Sequence, residues 1–228
     1  MQRQENLAPP AASVGPSQTK ASQPPIIAIT PPSGLDSFLV SASNREAASL
    51  AVSLLQKRSA APILVDGPSG SGKSHLLNAL AHDAARGRQS LNGAIIRVDD
   101  IALRPTPIAL SPLDGADILL IDDILSVLGN RPLQDRLMLS ITRMIKYQRP
   151  VLIATNVPLD ELAVTGLSDK LYHLLKACTH VSLKRPDGPL CQKLACREVN
   201  RMHSLRERPD KEGLIRLIAD GCGGSVGA

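Results

Sequence analysis

The feature that most constrains the fold of this chain is a glycine-rich segment between an aliphatic stretch at 63–65 and an amphipathic stretch at 73–86. It matches the pattern GxxxxGK[ST] in full and consists of Gly67, Pro68, Ser69, Gly70, Ser71, Gly72, Lys73 and Ser74. Glycines let the backbone curl so that its N–H groups converge on an anion, and a following helix adds the positive end of its dipole. The segment therefore predicts a phosphate-binding loop between a buried strand and a helix.

Hydrophobic patterns predict the other elements of the fold. The run ILLI at 118–121 is apolar throughout, which is typical of strands buried on both faces of a parallel sheet. The predicted strands are 63–65, 94–98, 118–121, 151–155 and 180–183, and the predicted helices are about 44–58 (capped by Ser43 or Asn44), 73–86, 133–147, 189–206 and 210–220. Strands that alternate with helices indicate an α/β fold with a five-stranded parallel sheet and flanking helices. The glycine-rich end, 221–228, is expected to be non-helical.

Polar residues after two of the predicted strands extend the phosphate loop into a nucleotide site. Lys73 is a point charge for the β- and γ-phosphates, and the Ser74 hydroxyl suits a Mg²⁺ shell. Asp122 follows strand 118–121, at the carboxyl edge where open α/β sheets bind ligands, and we expect it to bind Mg²⁺ through its water shell. Asp123 is the candidate to polarise or orient the attacking water, and Asn156 is the candidate to face the γ-phosphate.

The order of these motifs resembles the AAA+ ATPases, and within them the replication initiator DnaA and its shorter relative Hda. The segments that carry the resemblance are FLVSASN (38–44), GPSGSGKSHLLNALAH (67–82), ILLIDDI (118–124), VLIATNVP (151–158) and LSDKLYHLL (167–175). The resemblance implies an AAA+ base that binds ATP or ADP with Mg²⁺. It also implies that Phe38, Leu39 and Val40 form the adenine side of the site.

The chain departs from the DnaA pattern at two arginine positions. The family's finger arginine, which reaches a neighbour's nucleotide, falls on Leu174. Lys176 lies close by, but a lysine lacks the planar fork that matches phosphate oxygens. The sensor arginine of the family's lid falls on Gly227. The resemblance therefore implies a short, incomplete helical lid and weak ATP hydrolysis.

Composition divides the chain into three parts. Residues 1–35 are predicted to be a disordered tail, because seven of the 18 prolines lie before residue 34 and the segment is rich in Ser and Gln. Residues 36–186 are expected to form the nucleotide-binding domain and 187–228 a remnant of the lid. No apolar run approaches the ~20 residues that a membrane span needs, and a cytoplasmic location is expected.

Partners are expected among replication proteins, including a DnaA-like initiator. Hda-type proteins attach to the sliding clamp through an N-terminal peptide, and the tail around Gln23, Ile26 and Ile27 resembles that peptide. The net charge of +5 also permits a weak DNA contact. A homo- or hetero-oligomer is compatible with the resemblance.

Three hypotheses follow for function. The first is a DnaA/Hda-like protein that regulates or assists the initiation of DNA replication with slow ATP hydrolysis; no helix-turn-helix segment follows the lid, which makes the chain Hda-like. The second is a helicase loader of the DnaC/IstB type. The third is a nucleotide-binding scaffold that does not hydrolyse ATP.

Overall fold

The computed structural model describes residues 34–56, 61–86, 93–97 and 116–224, which form a parallel sheet flanked by helices. Its five strands are β1 (Ile63–Asp66), β2 (Gly93–Arg97), β3 (Ile118–Asp122), β4 (Val151–Thr155) and β5 (Thr179–Ser182). Their order is β2-β3-β4-β1-β5 and every pairing is parallel. The α/β class and the five-stranded sheet predicted from the sequence are confirmed.

Helices lie between β1 and β2, between β3 and β4 and between β4 and β5, as parallel pairing requires. They are α1 (Arg45–Leu55), α2 (Lys73–Arg86), α3 (Arg131–Lys146), α4 (Leu159–Leu162), α5 (Asp169–Lys176), α6 (Gly188–Arg201), α7 (His203–Arg206) and α8 (Lys211–Gly224). Short 3₁₀ turns cover Leu35–Ser37 and Ile124–Val127. Helix α3 begins where the Asn130 side chain accepts a hydrogen bond from the Leu133 amide (3.1 Å), and Asp187 caps α6 in the same way through Leu190 (2.8 Å).

The core lies on both faces of the sheet because β1, β3 and β4 are apolar at every position except their last residue. On one face, α1 and α2 pack against the strands through a cluster that includes Leu54, Leu76 and Leu80. On the other face, α3 and α5 pack through a cluster that includes Leu137 and Leu171. The sheet is thus the middle layer of three.

The parallel register brings the polar ends of three strands to one edge. Asp66 at the end of β1 is paired with Thr155 at the end of β4, and Ile121 of β3 is paired with Ile153 of β4. Strand β4 therefore lies between β1 and β3, as expected for a phosphate-loop sheet. Side chains that directly follow β1, β3 and β4 meet at this carboxyl edge.

Three local predictions were wrong. Helix α1 ends at Leu55 rather than near 58. Its N-cap residue is Asn44, one of the two expected, although the Asn44 side chain bonds to the preceding loop and not to the helix. The helix expected over 189–206 is interrupted at Met202, whose backbone is extended. Residues 221–224 are helical despite their glycines. The packing of Ile215 and Ile218 against α6 stabilises α8 and offsets the cost of about 1 kcal/mol for each glycine.

Parts of the sequence interpretation fall on residues outside the described ranges. They are residues 1–33 of the predicted tail 1–35, with its candidate clamp peptide, and the Gly227 position in the lid. Among the described residues, no helix combines the length and the apolar character needed to cross a membrane.

A buried glutamine joins two loops near the carboxyl edge. Gln134 of α3 is fully buried. Its Oε1 accepts a hydrogen bond from the Ser168 amide at 2.7 Å, and its Nε2 donates to the Val127 carbonyl at 3.2 Å. Buried polar groups that lose their partners cost free energy, so this side chain holds the segment after β3 against the start of α5.

We expect Gln134→Leu to lower the free energy of unfolding by about 1–3 kcal/mol, because the Ser168 amide and the Val127 carbonyl would stay buried without their partners. Urea titration followed by circular dichroism measures this change. Gln192→Leu, at an exposed position on α6, is the matched control and should change stability by less than about 0.5 kcal/mol. Equal effects of the two substitutions would contradict a structural role for the buried amide.

Candidate functional site

The predicted phosphate loop connects β1 to the first turn of α2. Gly72 has a φ of 101°, a region that side chains disfavour. At Gly67 a Cβ atom would collide with the Leu183 carbonyl after β5. Both glycines are thus required by the backbone path, and the loop ends at the start of a 14-residue helix, where backbone N–H groups and the helix dipole favour an anion.

Lys73 lies across this loop and is bonded to its backbone. Its side chain is nearly buried, at 7% exposed, and Nζ donates to the carbonyls of Gly67 (2.6 Å) and Pro68 (2.9 Å). Burial lowers the pKa of Lys73, and the carboxylates of Asp123, Asp122 and Asp66 oppose that shift. An ammonium group that is held mainly by neutral carbonyls has much to gain from a phosphate partner, because charge-assisted hydrogen bonds are stronger.

Ser74 and Asp122 meet as the sequence predicted for a metal site. The Ser74 hydroxyl donates to Asp122 Oδ1 at 3.1 Å. This contact joins the first turn of α2 to the end of β3. A hydroxyl and a carboxylate are hard oxygen ligands of the kind that Mg²⁺ prefers, so the two side chains fit the expected ion.

Asp123 and Asn156 form a second pair at the same edge. Asn156 Nδ2 donates to Asp123 Oδ2 at 2.8 Å, and Asp123 Oδ1 accepts from the Leu125 amide at 3.2 Å. Asp123 has a left-handed backbone, with φ 54° and ψ 83°, which turns the chain away from β3. Two hydrogen bonds thus orient the carboxylate that was predicted to act on water; that catalytic role stays a prediction.

A third carboxylate at this edge was not predicted. Asp66, the last residue of β1, is only 4% exposed. One of its oxygens lies 3.2 Å from His180 Nε2 on β5, and the other has no hydrogen-bond partner in the structure. A single aspartate after an apolar strand gives no sequence signal of its own, and its partner lies more than 100 residues away in the chain. Asp66 adds negative charge close to Lys73.

The segment expected to face adenine lies beside α1 and α2. Phe38 and Leu39 are half-buried and Val40 is 43% exposed. Asn44 holds the segment, since its Nδ2 donates to the Leu39 carbonyl (2.9 Å) and its Oδ1 accepts from the Ser41 amide (2.8 Å). The position is compatible with the adenine side, which stays a prediction.

The position of the family's finger arginine lies on α5. Leu174 is half-buried and packs against the core that α3 covers. Lys170 and Lys176 are exposed on the same helix. Lys170 and Lys176 therefore lie on the same helix as the predicted finger position, which Leu174 occupies.

His75, one residue after Ser74, faces the C-terminal helices. Its Nε2 atom is buried and has no hydrogen-bond partner in the structure. Burial lowers the pKa of His75, and the nearby Arg197 guanidinium lowers it further, while Glu198 opposes the shift. The sequence did not single out this residue, because its surroundings come from a helix more than 100 residues later.

Comparisons with known proteins agree with this geometry. Residues 30–102 match the family model of the bacterial DnaA ATPase domain. The chain is 28% identical over 153 residues to the chromosomal replication initiator protein DnaA of Clavibacter sepedonicus, an alignment that covers 63% of this chain and 32% of that protein. The chain thus spans about a third of the length of this relative.

Two solved structures show the same fold. AMPPCP-bound DnaA from Aquifex aeolicus superimposes with a TM-score of 0.69 at 20% identity, over 87% of this chain and 64% of that one. The DnaC helicase loader superimposes with a TM-score of 0.53 at 15% identity, over 67% of this chain and 96% of that one.

The sheet order, the phosphate loop and the aspartates at the end of β3 place this protein in the class of α/β phosphate-loop domains. Within that class the chain is DnaA-like, as the match over residues 30–102 and the structural likeness indicate together.

The environment of His75 predicts how stability depends on pH. Because the folded-state pKa of His75 is lowered, the unfolded chain takes up a proton first as the pH falls through about 6.5, and this residue's contribution to stability is then lost. We expect His75→Gln to lose less stability than the wild type between about pH 7.5 and pH 5.5.

Urea unfolding of both proteins at the two pH values measures this difference. His173→Gln is the matched control, since His173 is exposed on α5 and should leave the pH dependence of the wild type unchanged. A His75→Gln profile that coincides with the wild-type profile would show that the buried imidazole is not the source.

Proposed function

We propose that this chain is a DnaA/Hda-like AAA+ protein that binds ATP or ADP and regulates or assists the initiation of DNA replication. The observation that carries the proposal is the meeting of the phosphate loop with the ends of β3 and β4. Lys73 spans the loop, Ser74 contacts Asp122, and Asn156 contacts Asp123. One anion-binding loop, two metal-ligand side chains and an oriented carboxylate are the parts that phosphoryl chemistry needs.

In this proposal each side chain has a separate task. Lys73 leaves the carbonyls of its own loop and bonds to the β- and γ-phosphates. Ser74 and Asp122 hold Mg²⁺, which when bound neutralises charge on the phosphates. Asp123 orients a water molecule, and Asn156 fixes the carboxylate of Asp123 while its amide faces the γ-phosphate. The AMPPCP-bound DnaA of similar fold supports nucleotide as the ligand.

Slow hydrolysis is part of the proposal. An arginine supplied by a neighbour is worth about 10³–10⁵ in rate where it has been measured. Leu174 stands at the matching position and is half-buried, so the isolated chain supplies no guanidinium from that residue. The site is therefore suited to hold nucleotide for long periods, which favours a nucleotide-dependent switch.

The partners are proposed from the resemblance and from the charge of the chain. They are a DnaA-like initiator, the sliding clamp, bound through the tail around Gln23, Ile26 and Ile27, and a weak contact with DNA. The helicase-loader hypothesis has a specific observation in its favour, the likeness to the DnaC loader. Capture of a replicative helicase rather than a clamp from native cells would favour the loader. Absence of any turnover with every partner would favour a scaffold.

The nucleotide site is tested first by Lys73→Ala. We expect the affinity for ATP and ADP to fall at least tenfold, about 1.4 kcal/mol, because the substitution removes the side-chain cation of the phosphate loop. Isothermal titration calorimetry measures the change, and Lys193→Ala, exposed on α6, is the control that should bind like the wild type. Unchanged binding by Lys73→Ala would remove the core of the proposal.

Turnover tests the second half of the proposal. Steady-state ATP hydrolysis by the purified chain should stay far below about one per second, because Leu174 occupies the position that matches the finger arginine. The rate per chain should also stay constant as the protein concentration rises. Fast turnover that increases steeply with concentration would show self-assembly with a working finger, and substitutions of Lys170, Lys176 and Arg185 would then identify the residue responsible.

A further inference from the structure

A hydrogen bond joins helix α6 to the segment that precedes α1, outside the phosphate loop. Arg197 Nη1 donates to the Ser37 carbonyl at 2.9 Å, across 160 residues of sequence. Ser37 directly precedes Phe38, the first residue of the segment expected to face adenine. A side chain of the C-terminal helices thus contacts the backbone that leads into that segment.

The same guanidinium holds a buried carboxylate on its own helix. Glu198 is only 7% exposed, and its Oε1 accepts from Arg197 Nε at 3.3 Å. Arg201 is more distant, with Nη1 3.9 Å from the same oxygen. A buried carboxylate needs such partners. The planar guanidinium of Arg197 donates from Nη1 to the Ser37 carbonyl and from Nε to Glu198. Because the guanidinium is rigid, its bond to Glu198 orients the nitrogen that donates to Ser37.

Arg197 and Glu198 also act on a residue beside the phosphate loop, His75. It lies in the first turn of α2, directly after Ser74. The hydrogen bond from Arg197 to Ser37 joins the C-terminal helices to the backbone that leads into the expected adenine side.

Two further sets of hydrogen bonds fix the backbone before and within the segment 37–41. Below it, the Leu35 amide donates to Asp83 Oδ2 of α2 at 2.9 Å. Above it, Asn44 holds Leu39 and Ser41. Both sets of contacts come from the nucleotide-binding domain, through Asp83 of α2 and through Asn44 at the start of α1. Arg197 adds a hydrogen bond from the C-terminal helices, so the position of the segment also depends on where α6 lies.

We propose that Arg197 is a positioning residue for the adenosine half of the nucleotide, because it fixes the segment after Ser37 against helix α6. The inference rests on the proposed nucleotide site and deepens it. Binding of the phosphates depends on the loop and on Lys73, whereas retention of the base and ribose depends on Arg197. Nucleotide occupancy is thereby coupled to the C-terminal helices through α6.

The test compares Arg197→Ala with Lys193→Ala, which removes an exposed cation one turn earlier on the same helix. Affinities for MgATP and for magnesium tripolyphosphate are measured by calorimetry, and melting temperatures check the fold. We expect Arg197→Ala to bind ATP at least tenfold more weakly than the wild type and to bind tripolyphosphate equally well. Lys193→Ala should bind both ligands like the wild type.

Arg197→Lys is a second variant that keeps the charge, and it decides the question if Arg197→Ala does not fold. A lysine has one head group and cannot bond to Ser37 and Glu198 in the same fixed geometry. We expect its ATP affinity to fall about threefold or more while its tripolyphosphate affinity is unchanged.

Each other outcome overturns the inference. Wild-type ATP affinity in both Arg197 variants, or an equal loss for ATP and tripolyphosphate, would show that Arg197 does not act on the adenosine half. A wild-type protein that binds neither ligand would contradict the proposed function itself, which is a different result from selective failure of the Arg197 variants.

Discussion

The parallel pairing of β4 with both β1 and β3 is the constraint on which the site depends. It brings the ends of three strands, separated by up to 90 residues of sequence, to one edge of the sheet. The contact of Ser74 with Asp122 and that of Asn156 with Asp123 both follow from this arrangement. A slip of one residue in the pairing of β4 with β3 would move Asn156 by about 3.3 Å along the strand direction and separate it from Asp123. The apolar packing that holds the register therefore also holds the site.

Three carboxylates at the carboxyl edge of the sheet act on the ammonium group of Lys73. Its ammonium group is bonded to carbonyls of its own loop and lies near three carboxylates, Asp66, Asp122 and Asp123. Burial lowers the pKa of this lysine, and the three carboxylates oppose that shift. They also make the edge a poor place for an anion alone, so a divalent cation that shields Asp122 would assist phosphate binding. The affinity for nucleotide is accordingly expected to depend on Mg²⁺.

The sequence was most informative where structure depends on local pattern. Apolar strands, the glycines of the phosphate loop and the two aspartates after β3 are short signals with direct physical causes, and the sheet and the meeting of Ser74 with Asp122 agree with them. Helix ends were less predictable: the break at Met202 and the helical glycines at 221–224 depend on packing between α6 and α8. The Asp66–His180 and Arg197–Ser37 contacts join distant segments, and no single-sequence pattern marks such pairs.

The central claim is that the phosphate loop and the ends of β3 and β4 form one nucleotide site. A crystal structure of the wild-type chain with AMPPCP and Mg²⁺ tests it most directly. The account predicts phosphates at the start of α2, Lys73 Nζ bonded to phosphate oxygens instead of to the Gly67 carbonyl, and the metal between Ser74 and Asp122. Nucleotide bound elsewhere, or density for none at saturating concentration with Lys73 still bonded to its loop, would contradict it.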